Sequence, residues 1–366
     1  MAILNRRAGH NVIPCKNSLI MGLTYKSVDW NKFKKSYDKI LLALVGCIVF
    51  SFVGIHLILD PLITPETLII RSSSLTAFFL LHIILIIGPL CRINPRFLPL
   101  LYNRRHLGVT MFIFVAIHSI FSLIQFHALG NMNPLVSLFL SNTKYLEISE
   151  FPFQVFGFFA FIILFLMAAT SHDFWLKNLG AKWWKALHML VYLAYGLIVL
   201  HVALGILQYE DKLIYWLLLF SSFFLIVGLH LFAGIKESRW ISKQKAYLSK
   251  EGYFQICKVE EIEDSCAKGV FVDGQNIAIF KHQGSLSAVN NVCRHQMGPL
   301  SEGKIIDGCI TCPWHGYQYL PANGQSPPPF KEQLETYELK ILNGEVWVNP
   351  NPKPEGTFTE PIKITQ

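Results

Sequence analysis

Charge is what this sequence has least of. Asp, Glu, Lys and Arg make up 15% of its 366 residues, against about 25% in an ordinary soluble protein. With 52% hydrophobic residues, such a chain falls outside the ordinary soluble class and reads as a membrane protein. No G-x-G-x-x-G fingerprint occurs, so the usual dinucleotide-binding turn is missing. The N-terminal MAILNRRAGHNVIPCKNSL lacks an apolar h-region followed by a small-residue cleavage site, so no signal peptide is expected, and Met21 is a candidate start. The eight cysteines form no disulfide framework. Cys15, Cys47, Cys91, Cys257 and Cys266 have neither ligand nor disulfide spacing and read as small isolated hydrophobes. A net charge of +8 does not imply nucleic acid here. The basic residues cluster between apolar runs, a placement that orients a membrane protein.

The long apolar runs come next. A bilayer core of roughly 30 Å needs about 20 apolar residues per helix. Six runs fit, at 40–59, 75–91, 107–127, 151–170, 184–206 and 212–234. Lys and Arg are unevenly shared among the loops. Arg6, Arg7, Lys16, Lys26, Lys32, Lys34, Lys35 and Lys39 precede the first run. Arg92, Arg96, Arg104 and Arg105 follow the second, Lys177, Lys182 and Lys185 the fourth, and Lys236, Arg239, Lys243 and Lys245 the sixth. The other loops offer only Arg71, Lys144 and Lys212. The positive-inside rule then puts both termini in the cytoplasm.

Residues 251–366 have the composition of a soluble domain. GVFVDGQNIAIF and TYELKILNGEVWVNP are apolar runs around Asp273–Gly274 and Asn343–Gly344, which are hairpin signals. The fold class expected is a membrane all-α six-helix bundle plus a C-terminal all-β domain. The organisation is a cytoplasmic N-terminal segment (1–39), a transmembrane domain (40–235), a linker (236–250) and the β domain with its tail (251–366).

Within that domain, CRHQMGPLSEGKIIDGCITCPWHGYQY contains C-x-H, sixteen residues, then C-x-x-H. Two loops each supply one Cys and one His. Rieske [2Fe–2S] centres need that set, two thiolates on one iron and two imidazoles on the other. The ligands would be Cys293 and Cys312, with His295 and His315. Zinc is the rival metal, since Cys₂His₂ is also a zinc set, but zinc fingers pair Cys with Cys and His with His. Cys309 reads as a strand residue.

Seven histidines fall in the apolar runs: His56, His82, His118, His127, His188, His201 and His230. Ionisable groups in a bilayer are costly and mark functional sites. Haem b held between helices by two imidazoles explains them economically. His188 and His201 share a run and are 13 residues apart, roughly 20 Å along a helix, which suits two stacked haems. On an ideal helix they are also about 140° apart in azimuth, so a bend or different approach angles would be needed. Depth from the cytoplasmic side is about 6 Å for His188, 13 Å for His82, 16 Å for His118 and 25 Å for His201. The pairs with least strain are His82 with His188 and His118 with His201, with His230 a rival to His82. A hydrogen-bonded bundle histidine is the alternative at each position, and it leads for His56 and His127 near the outer interface. His106 and His172 read as interfacial. Arg104 and Arg105 would contact haem propionates or a bound flavin, or serve as orientation charge alone.

Two resemblances follow from these motifs. The PL…G and CPWHG stretches flanking the ligands are similar to Rieske domains over roughly residues 251–350. Rieske proteins of cytochrome bc complexes carry an extra, disulfide-bonded Cys in each loop; Gly298 and Trp314 stand there in this chain. The domain therefore resembles the Rieske ferredoxin and oxygenase type, which implies a lower potential. NRRHLGVTMFIFVAIHS and WWKALHMLVYLAYGLIVLH resemble the ferric reductase-like transmembrane domain over about residues 30–235. The nearest type is MsrQ/YedZ, the haem-bearing membrane partner of a periplasmic methionine sulfoxide reductase. That resemblance implies haem ligation by His118, His188 and His201; His82 rests on depth alone.

Together these readings describe an oxidoreductase or electron-transfer subunit in the cell's inner membrane, with one or two b haems. Its donor would be a cytoplasmic reductase, a ferredoxin or a quinol, and its acceptor would lie at the outer face, a periplasmic oxidoreductase among the candidates. A Rieske-type oxygenase component needs a mononuclear iron in a large catalytic domain, for which residues 251–366 are too few. A non-catalytic haem- or redox-sensing protein is the third class, although no signalling module is visible.

Overall fold

The computed structural model describes residues 32–101, 103–209, 212–244, 249–314, 316–328 and 330–364. Residues 1–31, with Arg6, Arg7, Lys16 and Lys26, lie outside these, as does His315. Two compact units are present, the helical Lys32–Lys236 and a second one in Glu237–Gln366 that holds the β structure.

The helical unit contains α1 (Lys32–Leu59), α2 (Pro65–Ile93), α3 (Arg104–Leu123), α4 (Pro134–Leu140), α5 (Gln154–Ala169), α6 (Asp173–Met189, kinked at Gly180, φ 74°), α7 (Val191–Tyr209) and α8 (Leu213–Gln244), the last running on past Lys236. Among the described residues five stretches are long and apolar enough to cross a membrane: Lys34–Leu59, Pro65–Ile93, Arg104–Ala128, Trp183–Gly205 and Leu213–Arg239. The remaining run is α5, apolar after Gln154 but only 16 residues long. The six-helix expectation thus resolves into five full spans and one short helix. Leu42, Phe50, Ile58, Phe224 and Leu231 are exposed, as lipid-facing side chains must be.

Helix α2 starts ten residues before the run at 75–91. Thr64 Oγ1 accepts the Thr67 N–H at 3.3 Å, and Pro65 occupies the first helical position, where its missing N–H costs nothing. The serines that interrupt the apolar pattern satisfy themselves within the helix. Ser73 Oγ donates to the Ile69 carbonyl at 2.6 Å and Thr76 Oγ1 to that of Ser72 at 2.8 Å. Bonded in this way, small hydroxyl residues enter a packed apolar interior without unmet donors.

The run at 184–206 is irregular at Leu190, which keeps helical φ and ψ. Leu190 separates α6 from α7, and its N–H turns back to the Leu187 carbonyl at 3.1 Å. His188 and His201 lie on either side of this one-residue irregularity. At the far end, α8 continues through Gln244, so most of the stretch assigned to a linker (236–250) is helical. Its Lys, Glu, Ser, Arg and Gln residues include no Pro, and nothing there stops a helix already under way.

The β unit is built from two-residue hairpins. Asp273–Gly274 joins β3 (Ala267–Val272) to β4 (Gln275–His282), and Asn343–Gly344 joins β10 (Leu339–Leu342) to β11 (Glu345–Val348). All four residues have positive φ, the turn whose twist matches the strands. Similar turns link β4 to β5 (Ser285–Asn290) and β6 (Lys304–Ile306) to β7 (Cys309–Thr311). The sheets are β1 (Ser249–Lys250)–β2 (Tyr253–Lys258)–β11–β10; β12 (Ile362–Lys363)–β5–β4–β3, with β9 (Thr336–Tyr337) on β5; and β6–β7–β8 (Gln318–Tyr319). Successive residues of a strand face opposite ways, so β4 serves two cores. Ile277 and Ile279 pack with Val270, Leu286 and Val346. Ala278 and Phe280 pack with Ile310, Tyr319, Cys293 and Cys312.

Candidate redox centres

The two cysteine loops are built alike. In the first, Cys293 N–H donates to the Gly298 carbonyl at 2.9 Å and Met297 N–H to the Cys293 carbonyl at 2.8 Å. In the second, Cys312 N–H donates to the Tyr317 carbonyl at 2.7 Å and Gly316 N–H to the Cys312 carbonyl at 2.9 Å. The fourth residue after each cysteine, Met297 or Gly316, has φ of 58° or 74°. Each loop is therefore a short closed turn that fixes its cysteine by backbone bonds. Asn291 braces the first loop, its side chain accepting Ser301 N–H at 2.7 Å and donating to Asn276 Oδ1 at 2.9 Å.

The two thiols lie within hydrogen-bonding reach of each other, 1% and 2% exposed. Burial alone would raise the Cys293 pKa. Hydrogen bonds from the Cys312 side chain, the Tyr319 hydroxyl and the His295 backbone outweigh burial and bring it down to about 6. The pocket favours thiolate, the form that binds iron. Tyr319 Oη is 3.3 Å from Cys293 Sγ and accepts Arg294 N–H at 3.0 Å. Burial, reinforced by the Cys293 charge, pushes its pKa far above the usual range, so it keeps its proton and donates to sulfur.

His295 stacks on Tyr317, ring centres 4.9 Å apart and 9° from parallel, and the Tyr317 hydroxyl donates to Glu332. Gly298 lies under Trp314. A Cβ on Gly298 would come within 2.8 Å of the indole, so the two loops touch through a tryptophan laid on a glycine. Two buried thiols and an imidazole fit the donor chemistry of a [2Fe–2S] cluster. Among the described residues no three of His, Cys, Asp and Glu converge on a single metal ion; the fourth candidate ligand, His315, lies outside them.

In the helical unit, His56, His82, His188 and His230 each bond Nδ1 to the carbonyl four residues back on their own helix. His118 and His201 differ. His118 Nδ1 reaches the Ile70 carbonyl on α2 at 3.2 Å, and His201 Nδ1 reaches the Phe153 carbonyl at the start of α5 at 3.0 Å. A carbonyl only accepts, so Nδ1 carries the proton and Nε2 keeps its lone pair. The two rings face each other from α3 and α7, centres 6.3 Å apart and planes 78° apart. Two imidazoles sharing one metal give about 6.2 Å, from roughly 2.0 Å per metal–nitrogen bond and roughly 1.1 Å from nitrogen to ring centre. The separation matches what two imidazoles holding one iron would require.

His82 Nε2 is bonded instead to the Tyr195 hydroxyl at 3.1 Å, and His230 Nε2 to the Tyr192 hydroxyl at 3.1 Å. His188 stacks on Trp184 at 3.8 Å. Among the described residues no ring contact joins His82 to His188. Arg104, at the start of α3, lies within electrostatic range of His188 and of Tyr37, Cys91 and Tyr192. Next to it, Asp38 on α1 accepts from Asn103 Nδ2 at 2.5 Å and from His106 Nδ1 at 2.9 Å. Arg105 is half-buried on the same turn.

Sequence reasoning missed Tyr319, the Ile70 and Phe153 carbonyls, and Gly157, whose Cβ would meet His201. Tyr319, seven residues after Cys312 and facing its strand's interior, had a readable position. A carbonyl acceptor leaves no trace in residue type.

Comparison with known proteins assigns both units. The Rieske [2Fe-2S] domain family matches residues 252–338, and the ferric reductase like transmembrane component family matches residues 73–200. The ferredoxin component of the alkene monooxygenase system of Xanthobacter autotrophicus is 29% identical over 104 residues, 28% of this chain and 85% of the relative. The biphenyl dioxygenase ferredoxin subunit of a Pseudomonas species is 33% identical over 100 residues, 26% of this chain and 91% of the relative. A solved complex of reduced oxygenase and oxidized ferredoxin in carbazole 1,9a-dioxygenase aligns at 24% identity with a TM-score of 0.27, covering 28% of this chain and 98% of that one. The chain is an integral membrane protein that belongs, through its C-terminal domain, to the ferredoxin-type Rieske [2Fe–2S] family, joined to a ferric reductase-like transmembrane domain.

Proposed function

We propose that this protein passes electrons from a cytoplasmic donor, through a Rieske cluster and b-type haems, to an acceptor at the outer face of the cell's inner membrane. Bound in their sites, the cluster and a haem would each take up and release one electron. Cys293 and Cys312 would hold one iron of the cluster, and His295 and His315 the other. His118 and His201 would hold the haem nearer the outer face. His188 is the ligand nearer the basic side, with His82 its partner once the Tyr195 hydroxyl gives way. Arg104 and Arg105 offer cations to a propionate there, with a flavin phosphate as the rival occupant.

The observation that carries this reading is the His118–His201 pair. Their rings stand 6.3 Å apart, each turned by a carbonyl from another helix. The Lys and Arg asymmetry supports cytoplasmic termini and a cytoplasmic Rieske domain. The donor is a reductase, a ferredoxin or a quinol. The acceptor lies at the outer face, and the MsrQ-like resemblance makes a periplasmic oxidoreductase one candidate for it.

Purified in detergent, the protein gives a rhombic [2Fe–2S] EPR signal on reduction and b-type absorption bands. A preparation with the cluster and no haem removes the relay. In rapid mixing with reductant, the cluster reduces before the haem; the opposite order reverses the direction.

A further inference from the structure

The first turn of α5 grips His201. Its Phe153 carbonyl accepts the imidazole Nδ1–H at 3.0 Å, while the same carbonyl's helical bond from Gly157 N–H is stretched to 3.5 Å. The same carbonyl also accepts Phe156 N–H at 3.2 Å, so the imidazole makes the shortest of its three bonds. One turn on, a Cβ at Gly157 would lie 2.9 Å from both Cε1 and Nδ1 of His201, closer than side-chain atoms pack. The ring occupies the volume that a side chain at 157 would fill.

The grip is reciprocal. The Phe153 ring lies 5.2 Å from the His201 ring, tilted by 48°, and rests on Gly205, where a Cβ would be 3.4 Å from its edge. Gly205 is one turn after His201 on α7. Each helix thus presents a glycine to a ring of the other. Glycine is not used this way throughout the bundle: a Cβ at Gly196, also on α7, would meet nothing within 4 Å.

We infer that Phe153 and Gly157 are positioning residues that set the tautomer and angle of His201 toward a haem iron. The inference rests on the haem reading above. Donation from Nδ1–H to a fixed carbonyl holds the Nε2 lone pair on one line and raises the basicity of the ligand. A methyl at 157 must push the ring off that line, because the atoms it would strike belong to the ring itself.

The test uses the full-length protein purified with its native haem, and reads haem stoichiometry, low-spin EPR and midpoint potential. His201→Ala identifies the haem in question by losing it. Gly157→Ala is expected to lose that same haem, or to keep it with a shifted low-spin signal and a changed potential. Gly196→Ala leaves all three readings at wild-type values. Gly157→Ala with wild-type stoichiometry, EPR and potential overturns the inference while leaving the ligand assignment intact. His201→Ala with full haem content overturns the haem reading, and the positioning role falls with it. Should Gly157→Ala not accumulate, Gly205→Ala decides. It crowds Phe153 more gently and is expected to shift the EPR signal part of the way; if it matches Gly196→Ala, the inference fails.

Discussion

The two units hold their candidate ligands by opposite means. In the β unit, Cys293 and Cys312 sit on short loops whose own backbone bonds close around them. In the helical unit, His118 and His201 sit on helices, and carbonyls 48 residues away in sequence orient their rings. A loop can curl its backbone to aim a ligand, because its N–H and C=O groups are not committed to a ladder. A helix cannot, so orientation must come from a neighbour. The loop site is therefore local and the bundle site exists only once four helices, α2, α3, α5 and α7, have packed.

The largest effect that tests this contrast is removal of one thiolate. Cys293→Ser or Cys312→Ser is expected to abolish the [2Fe–2S] EPR signal while the b-type absorption persists at wild-type intensity. Loss of both signals in one variant would break the comparison, because it would mean that the units do not load independently.

Next in size is the bundle site. His118→Ala and His201→Ala should each remove the same haem, read by haem stoichiometry and low-temperature EPR, with the cluster signal retained. His82→Leu should keep that haem. If the first two variants lose different haems, the 6.3 Å pairing is not the ligand pair.

How much of this was legible in the sequence follows the same division. The C-x-H and C-x-x-H spacings could be read because each loop carries both of its ligand types within four residues. The hairpin turns at Asp273–Gly274 and Asn343–Gly344 could be read because positive φ demands particular residues. The start of α2 was misjudged because three serines and Arg71 interrupt the apolar pattern. Thr64 and Pro65 marked the true start, but the serine hydroxyls' return bonds to the backbone become visible only in the fold. The local irregularity at Leu190 has no residue signature at all. The roles of Gly157 and Phe153 also stay hidden in one dimension, since one contributes the absence of a side chain and the other a carbonyl.

A smaller effect probes how the two β loops are fastened. Gly298→Ala pushes a methyl into Trp314, and overpacking of this kind costs roughly 1–3 kcal/mol. Thermal loss of the cluster's visible circular dichroism should begin several degrees lower, at about 4–8 °C per kcal/mol for a domain of this size. Adding Trp314→Ala should remove the clash, leaving the double variant no worse than Trp314→Ala alone. Strict additivity would show that the indole does not rest on the glycine.

The smallest expected effect lies at a single hydroxyl. Tyr319 Oη accepts the Arg294 N–H at 3.0 Å, which leaves its own proton free to point at Cys293 Sγ, 3.3 Å away. An added electron raises the charge on sulfur, so this donor stabilises the reduced cluster more than the oxidised one. Hydrogen bonds to charged groups contribute about 1.5–3 kcal/mol. If the two redox states differ by a third to a half of that, about 1 kcal/mol, the one-electron potential moves by about 40 mV. Tyr319→Phe should therefore lower the cluster's midpoint potential by that amount in a redox titration followed by EPR, with the haem potentials unmoved. Phe keeps the ring in its core, so the cluster itself should load normally. An unchanged potential in a fully loaded variant would mean that the hydroxyl serves the Arg294 backbone alone. The tuning of the loop-held site would then lie in the loops' own amides, and the contrast between the units would sharpen: backbone setting the potential in one, backbone setting only ring orientation in the other.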